Sequence, residues 1–363
     1  MQADAKTFQD KMVDILNYGS LNLAMGLGYR AGLFDFMDTM NRPCTVDEIC
    51  VGANLNRRYV QEWLGVMVCG DIVELVRDDD GQPRFLLPTA HGDVLARRAG
   101  SGNLGVYTQE IPLLTACALE PVFQGFLTGE GISYEQYPAF HDFMAQLGDA
   151  KHRQVLVDTF LPSVDDGRLV QALHRGIHVC DLGCAQGVAT LLMAQAFPAS
   201  RFTGIDISAE ALETARADAR KEGLTNVCFD QRDAAELRHS NDLSSRFDYI
   251  TAFDAIHDQT RPLDTLLGVH QILKDDGAFS MIDIAAESDI DGNRDHPMGA
   301  FLYTVSLMHC MPVGLLDGGA GLGMMWGRQL AERMLGQAGF GCVSVMEIPN
   351  DPFNLHFFCR KQL

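Results

Sequence analysis

The chain has 363 residues, 47% of them hydrophobic and 21% charged, a balance that suits two folded domains and excludes long disordered stretches. With 48 acidic against 28 basic residues the formal net charge is -20, a field that repels phosphate backbones and anionic lipid heads, so nucleic acid is not expected as a partner. The opening residues Met1-Gln2-Ala3-Asp4 lack a basic-then-apolar signal, and no apolar run reaches the roughly 18 residues of a membrane span, so a cytoplasmic chain without membrane contact is expected.

Residues 5 to 37 alternate apolar and polar positions at helical spacing, with breaks around Tyr18-Gly19-Ser20 and before Gly32, which predicts two helices. Thr45 followed three residues later by Glu48 is a capping box that opens a short helix. A second helix starts near Asn56 and carries Tyr59, Val60, Trp63, Leu64, Met67 and Val68 on one face before Gly70. Residues 72–76 and 84–88 then read as strands around the turn Asp78-Asp79-Asp80-Gly81. Helix, helix, hairpin is the order of a winged helix. From Cys44 to Asp93, however, four basic residues face nine acids, and three aspartates occupy the wing tip, where a DNA binder needs lysine or arginine. A structural and dimerising role is expected of this domain, with a DNA-binding regulator kept as the alternative.

Residues 104 to 175 read as helical, with Pro112, Pro121 and Pro138 marking starts or breaks. From Gly176 onward short β-rich runs alternate with helices of about a dozen residues, the pattern of a parallel sheet flanked by helices. The cysteines, among them Cys69, Cys228, Cys310 and Cys342, sit in apolar stretches and read as reduced core residues. Cys180 and Cys184 are too few for a zinc site, and no metal is expected.

Residues 177–182 form a strand ending in Asp181-Leu182, followed by Gly183-Cys184-Ala185-Gln186-Gly187 and a helix. Small residues let a backbone approach a ligand closely at the carboxyl edge of a sheet, so Asp181 is the candidate anchor for a cofactor's charged end, directly or through water. The next strand ends in Asp206, with Ile207 beside it, where a carboxylate accepts both hydroxyls of a ribose. A third unit ends in Asp233-Ala234, which suits an adenine amino group. A fourth strand runs through Phe253-Asp254 into Ala255-Ile256-His257-Asp258, and a fifth covers residues 278–284.

This series resembles a class I S-adenosylmethionine-dependent methyltransferase, whose loop Asp-x-Gly-x-Gly-x-Gly is matched by Asp181, Gly183, Ala185 and Gly187. Ala185 stands where the central glycine is usual and would mildly crowd the methionine moiety. A G-x-G-x-x-G nicotinamide fingerprint is not matched, which argues against an oxidoreductase. A closer resemblance covers nearly the whole chain. Residues 56–64, 251–259, 301–311 and 318–327 are similar to winged-helix-containing members of that methyltransferase family, which are often labelled transcriptional regulators.

The resemblance implies an α/β architecture: a Rossmann-like, seven-stranded methyltransferase domain behind a mainly helical, winged-helix-like one. It implies S-adenosylmethionine as cofactor and a homodimer. The divisions expected are residues 1–100 for the winged-helix-like and dimerisation domain, 101–175 for a helical connector contributing to the substrate pocket, and 176–363 for the cofactor domain. Phe253 and Asp254 join Asp181, Gly183, Ala185, Gly187, Asp206, Ile207, Asp233 and Ala234 as cofactor residues. Asn17 and Tyr18 are implied, by the same resemblance, to close the pocket.

His257 is either a polar residue closing a strand or the base that takes a proton from a small-molecule acceptor as the methyl transfers, with Asp258 or Asp254 orienting it. Residues 295 to 326 fall where substrate lids are found in this architecture; Tyr303 and His309 are the polar groups assigned to the pocket, while the methionines there serve it or fill core. The glycine run from Gly318 to Gly323 follows no strand and reads as a hinge or tight pass. The expected reaction is methylation of a small molecule at oxygen or sulfur, against a cofactor-sensing regulator or an inactive scaffold.

Overall fold

The computed structural model describes residues 7–349 and 351–362, without the side chains of Ser101 and Cys342. The reading of Met1 to Asp4 and the core assignment of Cys342 lie outside the described residues. Two compact units divide between Ala116 and Cys117.

In the first unit α1 (Phe8–Arg30) is one helix, closed at its start by a reciprocal Thr7–Asp10 capping box. The expected break at Gly19 does not occur: a single glycine in an exposed helix costs about 1 kcal/mol, too little to end it. The break falls at Gly32 (φ 72), before α2 (Leu33–Met40). Thr45 and Glu48 cap α3 (Val46–Gly52) as expected, and Asn56 caps α4 (Arg57–Cys69). Strands β1 (Glu74–Arg77) and β2 (Pro83–Leu86) pair antiparallel across the aspartate turn. Phe34, Ile49, Leu64, Met67 and Trp63 form the core. The Trp63 indole donates to Ala24 O at 2.9 Å, and only a glycine at 28 leaves room for its ring.

One helical stretch, Gly105–Thr128, is long and apolar enough to cross a membrane by length and composition, contrary to the sequence expectation. Pro121 sits inside it without ending it, whereas Pro138 opens the helix Pro138–Val155.

The second unit is built on seven strands: β3 (His178–Leu182), β4 (Arg201–Asp206), β5 (Val227–Gln231), β6 (Phe247–Phe253), β7 (Leu273–Ile284), β8 (Phe340–Ile348) and β9 (Asp351–Lys361). Their order is β5-β4-β3-β6-β7-β9-β8. Strands β3 to β7 pair in parallel, while β9 is antiparallel to both β7 and β8. This is the seven-stranded Rossmann-like sheet implied by the family resemblance. Apolar clusters containing Ile250 and Phe279 on one hand, and Phe202 and Tyr249 on the other, bury it. All five parallel strands therefore end on one edge, and the reversal of strand order beside β3 opens the crevice where α/β sheets bind ligands. Cys69 and Cys228 are exposed rather than core residues. On β5, an outer strand of the sheet, alternation turns Cys228 outward.

Candidate active site

The loop after β3 is drawn across β4: the Gly183 and Cys184 amides both donate to Ile205 O, at 2.8 and 3.2 Å. Asp206, at the tip of β4, accepts the Ala185 amide at 2.8 Å through Oδ2 and the Ser208 amide at 2.8 Å through Oδ1. Ile207 beside it is 68% exposed, an apolar side chain facing the open edge. Asp233 caps the turn Ala234–His239, accepting the Ala235 amide at 2.9 Å, while its other oxygen accepts from Arg261 at 2.6 Å.

Asp181 departs from its expected place. It is buried, accepting from Thr190 Oγ1 on the following helix at 2.6 Å and from Thr251 Oγ1 on β6 at 3.1 Å, so it ties β3 to these two elements instead of offering a free carboxylate to the edge. Burial pushes its pKa up to about 6 against these two hydroxyl donors. Asp254, just past β6 in left-handed backbone (φ 49), is an exposed position whose Oδ2 accepts from Asn354 Nδ2 at 3.5 Å. The Phe253 ring packs edge-on against His152 and Phe160.

His257 is 4% exposed. Its orienting partner is neither Asp254 nor Asp258 but Asp283 on β7, whose Oδ1 lies 2.8 Å from Nδ1. Asp258 Oδ1 is 3.4 Å from the other ring nitrogen, Nε2. Burial disfavours the charged ring, but the carboxylates of Asp283 and Asp258 outweigh it and raise the His257 pKa well above the ordinary histidine value. The two carboxylates thus favour the imidazolium, and the ring accepts a proton only from its neutral form, so a reaction that uses it as base should speed up as pH rises.

His309 and Cys310 lie on a π-helical turn, Ser306–Cys310, a local widening that recurs at functional sites. His309 is buried, with Nε2 3.0 Å from His141 Nε2 and Nδ1 3.5 Å from Cys310 Sγ. Tyr134 stacks on the His141 ring at 3.5 Å, and Tyr137 donates to Met308 O at 2.9 Å. Burial and the neighbouring His309 lower the His141 pKa to about 4. Tyr303 is tied to Asn293, whose Nδ2 donates to its hydroxyl at 3.1 Å. The sequence reading missed Asp283, Cys310 and His141. Asn17 and Tyr18 are exposed positions on α1. The glycine run is a tight pass: a Cβ at Gly319 would lie 2.3 Å from Gly314 O, and Gly321 and Gly323 have φ of 55 and 68.

Residues 173–303 match the Methyltransferase domain family, and residues 19–97 match the Rv2258c-like winged HTH domain. The chain carries a methyltransferase domain behind a winged helix-turn-helix domain. A ubiquinone biosynthesis O-methyltransferase of Haemophilus ducreyi is 33% identical over 106 residues, 29% of this chain and 44% of that protein. The chain spans less than half the length of the curated relatives that it matches. Among solved structures, a candidate O-methyltransferase from Nostoc punctiforme superposes with a TM-score of 0.70 at 15% identity, covering 98% of this chain and 100% of that one. Human N-acetylserotonin methyltransferase in complex with its cofactor gives 0.64 at 16% identity, covering 100% of both chains.

Two features of the methyltransferase domain lead to measurable expectations. Ala185 adopts φ 46 in the loop where its glycine neighbours, Gly183 and Gly187, have φ of 70 and 75. Left-handed backbone costs a residue with a Cβ about 1–2 kcal/mol, while glycine's freer unfolded chain costs about 0.5–1 kcal/mol. Ala185→Gly should therefore raise stability by about 0.5–1 kcal/mol, read as a higher urea midpoint; an unchanged or lower midpoint would count against strain at this position.

Asp181 gives a pH signature. Because its folded pKa of about 6 lies above the ordinary 3.8, the folded state holds the proton more tightly. Stability must then fall as pH rises from about 4 to 6, with the cost fully present above 6. Asp181→Asn removes this titration, so its stability relative to the parent should improve by about 2 kcal/mol between about pH 4.5 and 7.5. Parallel urea curves that keep the same separation at both pH values would refute the assignment.

Proposed function

We propose that this chain transfers the methyl group of S-adenosylmethionine to an oxygen or sulfur atom of a small-molecule acceptor. The observation that carries the reading is that Asp206, exposed Ile207 and Asp233 share the carboxyl edge of the parallel strands with the buried His257–Asp283 pair. A carboxylate beside an uncovered apolar side chain suits a ligand with a diol next to a flat apolar ring. Asp206 would hold the ribose hydroxyls, Asp233 and Ala234 the adenine edge, and Ile207 its face. Gly183, Ala185 and Gly187 would let the backbone approach the methionine part, with Asp181 tying β3 to the helix that follows the loop, and with Phe253 and Asp254 on the neighbouring strand end.

The bound cofactor supplies an electrophilic methyl group. His257 accepts the acceptor's proton at Nε2 while Asp283 holds Nδ1 and stabilises the ring cation. Asp258 adds negative charge beside Nε2, and His309 and Tyr303 belong to the acceptor side. Orientation and exclusion of water provide the rest.

We also assign the chain to the cytoplasm as a homodimer. Phe8, Ile15, Leu16, Leu23 and Leu27 leave an apolar surface on α1 that a second copy would cover. Sedimentation should return twice the chain mass. The regulator alternative draws on the winged helix-turn-helix match, but Arg57, Arg58 and Arg84 are paired with Asp47, Glu62 and Asp78, and Arg77 donates to Gly81 O. Tight binding to duplex DNA at physiological salt would favour it.

The deciding experiment is calorimetry with S-adenosylmethionine followed by transfer from labelled cofactor to a panel of thiols, thioethers, phenols and carboxylates. One cofactor per chain and label in one acceptor class are expected. Neither heat nor a shift in melting temperature on cofactor addition would overturn the reading.

A further inference from the structure

We propose that His257 Nε2, Asp258 Oδ1 and Cys310 Sγ form a three-ligand site for a divalent ion of borderline softness, with Zn2+ the best match, and that its occupancy excludes the base role of His257. The three ligand atoms lie within 4.8 Å of one another, and Nε2 and Oδ1 are 3.4 Å apart. Tetrahedral bonds of about 2.0–2.3 Å set ligand atoms about 3.3–3.8 Å apart, so only a small contraction is needed.

Three independent features point the same way. Asp283 at 2.8 Å from Nδ1 fixes the ring so that Nε2 faces the other two ligands, the carboxylate-behind-histidine arrangement that orients metal ligands. Asp258 Oδ1 is a buried atom that makes no well-directed hydrogen bond among the described residues, with the His257 ring 3.4 Å away as its charged neighbour. A buried carboxylate oxygen held so is unfavourable, and a bound cation would relieve it. Third, one nitrogen, one oxygen and one sulfur donor form a set that disfavours magnesium and calcium and suits zinc. Three protein ligands also leave the fourth position open, as in zinc sites that admit water or substrate.

Cys310 reaches the site through the π-helical turn Ser306–Cys310, whose His309 Nδ1 lies on the sulfur's other contact at 3.5 Å. Coordination breaks the Cys310 S–H bond and, where the ring is protonated, the His257 Nε2–H bond, forms ion–sulfur and ion–nitrogen bonds and releases those protons to the buffer, with no change of oxidation state. The lone pair on Nε2 is then committed to the ion. It is the same lone pair that the proposed methyl transfer uses, and this second half of the inference rests on that reading.

The test uses the full chain stripped by a chelator and titrated with Co2+, then Zn2+. One cobalt per chain, with a thiolate-to-cobalt charge-transfer band that Zn2+ abolishes, is expected, together with proton release in weak buffer. The band should vanish in Cys310→Ser, and Asp283→Asn should retain it with affinity about 10–100-fold weaker. Should Cys310→Ser fail to fold, Asp258→Asn keeps the thiol and is expected to bind cobalt more weakly with the band still present. No band, a band that survives in Cys310→Ser, or an undiminished cobalt affinity in Asp258→Asn overturns the site. One equivalent of Zn2+ should suppress methyl transfer and a chelator restore it; cobalt uptake with transfer unaffected overturns the exclusion. If no acceptor is ever methylated, the spectrum still reads the site on its own.

Discussion

Replacing His257 by alanine is expected to lower kcat/KM for a hydroxyl acceptor by about 10²–10⁴-fold while S-adenosylmethionine binds as before. A hydroxyl stays protonated at neutral pH, so the attacking oxygen needs a base within hydrogen-bond reach as the methyl moves. Burial at 4% exposure keeps water from substituting for the ring. Asp283→Asn should come close to the same loss: an amide donating to Nδ1 leaves the ring's proton on Nε2, the nitrogen that must accept. With an acceptor thiol that ionises unaided, the alanine variant should lose far less. Initial rates with labelled cofactor, with binding measured separately by calorimetry, distinguish these cases. Undiminished hydroxyl methylation in His257→Ala would remove the ring from the chemistry.

Local chemistry made much of this architecture legible. Thr45 with Glu48 and the single cap Asn56 mark helix starts because their side chains satisfy amides that no helix can satisfy internally. Asp206 at the end of β4 and Asp233 just past β5 announce the edge because a carboxylate there stays partly exposed and can accept from loop amides. Where the reading failed, the missing information was three-dimensional. Asp283 stands in the apolar run of β7, and nothing local says that this one position lies beside His257. Cys310 looks like any core thiol, and only the π-helical turn of residues 306–310 brings it to the histidine. Asp181 was read as a ligand because it ends a strand, yet Thr190 and Thr251 hold its carboxylate, an arrangement made by a helix residue and a neighbouring strand. Gly19 misled because glycine marks a turn only when nothing else favours the helix. Along α1 the capping box and the surrounding helix-forming residues outweigh it.

Gly187→Ala should be the most damaging single-methyl change in the loop, and it is the counterpart of the gain expected at Ala185. Gly187 has φ 75 and stands at the entry to the helix Val188–Ala196. A Cβ there would lie 2.6 Å from Phe229 Cε1, 2.8 Å from Phe229 Cζ and 2.9 Å from Ala215 Cβ. The left-handed backbone costs about 1–2 kcal/mol and forced repacking of a close-packed ring about 1–3 kcal/mol, so a loss of about 2–5 kcal/mol is expected. Because the same loop hangs from Asp206 through the Ala185 amide, cofactor affinity should fall with stability. Phe229→Leu shortens the ring that the new methyl meets, and in the Gly187→Ala background it should recover part of the loss that it would cause on its own. Urea midpoints for the two single variants and the double variant form a cycle. Strict additivity would mean that the backbone, not the contact with Phe229, sets the need for glycine at this position.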